Sequence, residues 1–132
     1  MVENAPMTSP SKSELLLDAA ARAARYVAEE RDRPVFPTTG AVDRLGSLQF
    51  NATLDRPLDA ADVIEMLDEI GGAATVANTG GRYFGFVTGG VEPVGLAASV
   101  LAGAWDQNAA LPVMSPVAAH LDALAAEWIV DL

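Results

Sequence analysis

The residues able to do chemistry are few and scattered. The chain has a single histidine, His120, set beside an apolar stripe with no companion at metal-ligand or triad spacing, so it reads as a structural or solvent-facing residue. Asp62, Glu65, Asp68 and Glu69 fall within one helical stretch, where a run of carboxylates on the outer face of an amphipathic helix is expected to be a solvated surface. Gly80-Gly81 and Gly89-Gly90 bracket an aromatic run and could let backbone approach a phosphate, the second pair lying just before a helix start whose amides favour anions. Glu92 at that start opposes a phosphate, and neither pair has the spacing of a dinucleotide or phosphate-binding loop. Tight turns are the plainer reading of both. There is no cysteine, which removes disulfides, thiolate nucleophiles and cysteine-metal sites together and accords with a reducing compartment, so the cytoplasm is the expected location.

The elements that must position these residues follow from periodicity and caps. With 132 residues and about half of them hydrophobic, many being alanine, the chain is at most one folding unit with a thin core. Residues 1–12, with Pro6, Ser9, Pro10 and Ser11, read as a mobile tail. Leu16, Ala20, Ala23 and Val27 then form the stripe of an amphipathic helix that Pro34 ends. Between Pro34 and Pro57 no period is sustained, which predicts an extended connection. Asp59 caps a helix carrying Val63, Met66, Leu67 and Ile70, with Gly71-Gly72 as its left-handed exit. Tyr83 to Val87 suits a strand or a buried extended strip. Pro93 opens a helix with Val94, Ala98, Leu101 and Trp105 on one face. Ser115-Pro116 opens another with Val117, Leu121, Leu124, Trp128 and Leu132. Trp128 to Leu132 shows no glycine exit or basic last turn, so the sequence reads as cut within a helix, the alternative being a frayed helix end docked on a partner.

A net charge of −10 disfavours nucleic acid and anionic lipid, whose own charge it repels. Nothing resembles a signal peptide, and no apolar run approaches the roughly 20 residues of a membrane helix, so no membrane role is expected.

Four segments in order, Arg82-Tyr83-Phe84-Gly85-Phe86-Val87-Thr88-Gly89-Gly90, Trp105-Asp106-Gln107-Asn108, Val113-Met114-Ser115-Pro116 and Leu121 through Glu127-Trp128, resemble the early part of group II pyridoxal-phosphate-dependent amino-acid decarboxylases, relatives of the aromatic-amino-acid and glutamate decarboxylases within the aspartate-aminotransferase fold. The resemblance covers residues 13–132. It implies a mainly α fragment, about four helices with extended connections, of an α/β fold-type I enzyme. Residues 13–90 would be an N-terminal arm with a substrate-side loop, and 91–132 the start of the large cofactor-binding domain. In that family the segment resembling Phe84 to Gly90 lines the substrate side, and the one resembling Trp105 to Pro116 lies at the dimer interface. The resemblance therefore implies Phe86, Thr88, Gly89 and Asn108 as the positions nearest an amino-acid substrate. Many relatives have His-Pro where this chain has Gly80-Gly81, so the loop shape and substrate preference need not carry over.

Such an enzyme requires a lysine for the Schiff base with pyridoxal phosphate and an acidic group at the ring nitrogen. Lys12 is the only lysine in the sequence, and it falls in the expected tail. The family places its lysine, ring-stacking histidine and aspartate beyond the length of this chain. The expectation is a segment that supplies dimer interface and substrate wall, inactive alone and not binding the cofactor stably, with a second copy or a C-terminal portion as partner. The other readings are a non-catalytic helical dimerisation protein derived from that family and a phosphate or nucleotide binder using the glycine pairs.

Overall fold

A computed structural model describes residues 9–48 and 58–132 and divides the chain into two compact units, Met1–Gly90 and Val91–Leu132. It is mainly helical, and among the described residues there is no strand.

In the first unit, α1 spans Lys12–Glu29. Its start is fixed by a reciprocal cap: the Glu14 amide donates to Ser11 Oγ at 3.3 Å, and the Ser11 amide donates to Glu14 Oε2 at 2.8 Å, satisfying two donors that a helix start leaves orphaned. This corrects the expected tail of residues 1–12, because Ser11 and Lys12 belong to the helix start; residues 1–8 lie outside the described residues. The helix stops at Glu29, before Pro34, since a proline disfavours helical backbone at the residue preceding it. The Asp32 and Arg33 amides both return to the Glu29 carbonyl, at 3.0 and 3.2 Å.

The half-buried face of α1 carries Leu15, Ala19, Arg22 and Tyr26, whereas Leu16, Ala20, Ala23 and Val27, the expected packing stripe, are exposed. Polar pins decide between the two faces. Arg22 Nη1 donates to Asp68 at 3.0 Å, and Tyr26 Oη and Thr75 Oγ1 share a hydrogen bond of 2.8 Å.

The stretch expected to be extended contains a short helix, α2 (Thr39–Arg44). Thr38 Oγ1 accepts from the Ala41 amide at 3.2 Å, so one capping hydroxyl nucleates a helix too short to show a period. A 3-10 turn, Leu45–Ser47, follows. Residues 49–57, where the rest of that connection falls, lie outside the described residues.

Helix α3 (Ala60–Met66) starts where Asp59 Oδ1 accepts from the Ala61 amide at 2.8 Å. It widens into a π turn, Leu67–Gly71, and tightens into a 3-10 turn, Gly72–Ala74. The expected left-handed exit is absent: Gly71 has φ −67° and Gly72 φ −56°. The Gly72 carbonyl, which a left-handed turn would otherwise help satisfy, instead accepts from Arg33 Nη2 at 2.7 Å and Thr75 Oγ1 at 2.8 Å.

In the second unit, α4 (Pro93–Trp105) begins with proline at its first turn and ends on Asp106 in left-handed backbone, whose amide donates to the Ala102 carbonyl. Helix α5 (Pro116–Val130) is capped by Ser115, whose Oγ accepts from the Ala118 amide at 3.3 Å and which is fully buried. Of the expected stripe on α5, Leu124 alone is half-buried. Across the described residues Ala77 is the one buried apolar residue. No described helix is long and apolar enough to cross a membrane.

Candidate functional site

The aromatic run lies on a loop closed at its neck. A side chain on Gly90 would meet the Thr79 carbonyl at 3.7 Å, and one on Gly80 would meet the Ala77 carbonyl at 3.4 Å, so Gly80–Gly90 leaves and returns at one place, as Ω-loops do. Its base is pinned to the turn that follows α1. Arg82 Nη2 donates to the carbonyls of Arg31 and Arg33, the Ala77 amide donates to the Val35 carbonyl at 3.0 Å, and the Tyr83 and Phe36 rings meet edge to face with centroids 6.4 Å apart.

Beyond this base the loop is bare. Phe84 is 92 % exposed, Phe86 90 % and Val87 fully exposed, which corrects the expectation of a buried strip or strand. A strand needs a partner for its amides and carbonyls, and among the described residues no segment pairs with this run as a strand. Phe86 and Val87 both sit at φ 55°, in left-handed backbone that costs roughly 1–3 kcal/mol for each non-glycine residue. The turn they form is closed weakly: the Thr88 amide and Thr88 Oγ1 each reach the Gly85 carbonyl at 3.4 Å. The Tyr83 ring folds over Gly85, where a side chain would lie 3.0 Å from its hydroxyl.

Phe86, Thr88 and Gly89 therefore share one exposed loop. Asn108 belongs to the second unit and is locally engaged, its Oδ1 accepting from the Ala110 amide at 3.0 Å. Helix α4 has no charged residue along its length, and Val94, Leu101 and Trp105 are exposed on it at 77 %, 52 % and 51 %. Leaving a large apolar side chain in water forgoes about 1.5–3 kcal/mol.

The ionisable groups sit elsewhere. Asp68, expected on a solvated face, accepts from both Arg22 Nη1 at 3.0 Å and Arg25 Nη2 at 2.5 Å. The hydrogen bond from Arg22 to Asp18, and then that to Asp68, hold the Arg22 guanidinium above its ordinary value. Arg33 stacks over the Tyr26 ring at 4.4 Å while bonding Gly72 and Thr75. A shallow depression of about 250 Å³ between these side chains offers an anion nothing, because Arg25 and Arg33 are both engaged. Sequence reasoning missed Arg33 and Arg82; arginines next to the proline and glycine pairs that end elements were the available signal.

Among the described residues the surroundings of the chain's lysine do not fit pyridoxal phosphate. Lys12 stands exposed on the first turn of α1, not in a tail. An open hollow of about 350 Å³ at the start of α1 is lined by Glu14 and Asp18, which repel a phosphate. Among the described residues no group of three or more histidines, cysteines or carboxylates is placed to hold a metal ion. No family model, curated protein or solved structure matches the chain.

Proposed function

We propose that the chain is the N-terminal segment of a pyridoxal-phosphate-dependent amino-acid decarboxylase with an α/β fold-type I parent, contributing dimer interface and substrate wall and inactive alone. The reading rests on the motifs from Arg82 to Trp128. The observation that supports it is the uncovered apolar surface of the loop tip and of the uncharged helix α4, because such surface is stable in water only when something else covers it. On this reading the chain's own residues bind and exclude water: Phe84 and Phe86 form an apolar wall, Arg82 holds the base of their loop, and Thr88 offers a hydrogen bond beside them, while Asn108 in the second unit offers one of its own. The lysine and the ring-nitrogen acid come from the rest of the parent.

Incubation with pyridoxal phosphate followed by borohydride reduction tests this. Intact mass should show no stoichiometric adduct, and an amino-acid mixture should release no carbon dioxide. A specific adduct with carbon dioxide release would overturn the reading. The nucleotide sequence after the Leu132 codon supplies the positive arm, since an open frame carrying a buried-lysine motif supports the enzyme and an immediate stop codon opposes it.

A second reading, a non-catalytic helical dimerisation protein, is favoured by the same exposed faces and by the poor fit of Lys12. Sedimentation separates the two: a folded, monodisperse dimer supports the dimerisation protein, and an aggregating or molten chain supports the enzyme segment.

A further inference from the structure

The Gly80–Gly90 loop combines three features that are independent of one another. Its base is fixed, by Arg82 on two carbonyls and by Tyr83 against Phe36. Its tip is strained, with consecutive left-handed residues at Phe86 and Val87, the second β-branched and so among the poorest residues for that backbone. Its tip is also unsupported, since two 3.4 Å bonds to Gly85 close the turn and Phe84, Phe86 and Val87 touch little. A strained conformation persists only where its surroundings over-determine it, and here they do not.

We propose that this loop is a two-state strap. In its open state, the one in the structure, the left-handed pair turns the tip back on itself. In its closed state Phe86 and Val87 relax to extended backbone, which places Phe84, Phe86 and Thr88 on one face by the two-residue alternation of extended chain. The closed state is selected when that face is covered by the same loop of a second copy. Residues 83–91 carry no charge, so two tips meet without repulsion. Their Phe84 and Phe86 side chains, two from each copy, together bury roughly 600–1,000 Å², at the low edge of a specific interface and so that of a weak, concentration-dependent pair. The partner's identity rests on the second reading above, the dimerisation protein, in which Phe84 and Phe86 cover their counterparts and line no substrate wall; the two states themselves do not.

The test uses the whole chain with isotope labels. Val87→Pro fixes φ near −65° and drives Phe86 to extended backbone, and no hydrogen bond from the Val87 amide is lost. Val87→Gly removes the share of the open-state penalty that Val87 carries. In the monomer at low concentration, chemical shifts and amide couplings of Phe84 to Thr88 should be left-handed in Val87→Gly, extended in Val87→Pro, and exchanging between the two in the wild type. In sedimentation, Val87→Pro should self-associate about tenfold more tightly than wild type and Val87→Gly about tenfold more weakly, as a shift in the competent fraction requires. A single wild-type state at the tip, or identical affinities across the three proteins, overturns the strap. If none of the three self-associates while the monomer couplings still differ as stated, the dimer fails and the two-state loop stands. Unchanged helical circular dichroism in both variants excludes misfolding as the cause.

Discussion

The unit Met1–Gly90 and the unit Val91–Leu132 are both helical but are held by different forces. In the first, polar groups far apart in sequence do the holding: Arg22 and Arg25 on Asp68, Arg33 on Gly72 and Thr75, Tyr26 on Thr75, and Arg82 on Arg31 and Arg33. In the second, among the described residues, side-chain hydrogen bonds join residues no more than four apart, as from Ser99 to Gly95 and from Ala118 to Ser115. Its large apolar side chains are mostly exposed. Short helices without tertiary packing are marginal in water. The first unit thus carries long-range pins of its own, whereas among the described residues of the second the side-chain hydrogen bonds are local.

The largest test of this contrast is hydrogen exchange. Amides of α1 and of Ala60–Gly71 should exchange at least about tenfold more slowly than those of α4 and α5, a difference of about 1.4 kcal/mol in opening free energy. Equal protection would mean that the second unit has found a partner, and dilution would then restore the gap. Next in size is association. Leu101→Glu on the uncharged face of α4 should shift sedimentation toward monomer by about tenfold while leaving the denaturant midpoint of the first unit unchanged, since surface changes away from packed features alter stability by less than about 0.5 kcal/mol.

How much of this was legible depends on whether a feature is local. The starts of α3, α4 and α5 follow from Asp59, Pro93 and Ser115-Pro116, because a cap needs only the next three residues. The choice of face on α1 does not, because Leu16-Ala20-Ala23-Val27 and Leu15-Ala19-Arg22-Tyr26 are both helical stripes. The decision belongs to Asp68 and Thr75, more than 40 residues away. Gly71-Gly72 looks like an exit until Arg33 is known to occupy the Gly72 carbonyl. Tyr83 to Val87 has the composition of a strand, but a strand is a property of two segments, and no described segment pairs with it. Of the candidate site, the shared loop of Phe86, Thr88 and Gly89 was readable because they are neighbours in sequence, while the pinning of its base by Arg82 was not.

Within the first unit the arginine pins set the next scale. Arg33→Ala removes the bonds to Gly72 and Thr75 and the stacking on Tyr26, and should cost about 2 kcal/mol in urea unfolding, near 1 for each net hydrogen bond with a smaller cation–π share. Because the Gly72 carbonyl retains Thr75 as a donor, the helix up to Met66 should persist. A loss of α3 along with α1 would show instead that the two pack as a single cooperative element.

The smallest effect, and the one with a definite sign, concerns the cap that starts α1. The Ser11 hydroxyl and then the Ser11 amide hydrogen-bond the Glu14 carboxylate and hold it below its ordinary value of 4.5. A carboxyl with a lowered folded-state value binds fewer protons folded than unfolded, so its contribution is complete above 4.5 and is lost as the pH falls through the lowered value. Glu14→Gln should remove that acid-side slope in helical circular dichroism while leaving the rest of the titration in place. Ser11→Ala should shrink the slope, since the amide of residue 11 still donates to Glu14, and in addition cost about 1 kcal/mol at neutral pH, as loss of an N-cap does. If Ser11→Ala left the slope unchanged with no cost at neutral pH, the reciprocal cap would be a charge effect on the helix dipole and not a set of hydrogen bonds. The second unit starts on Glu92 and Ser115 with no such reciprocal pair.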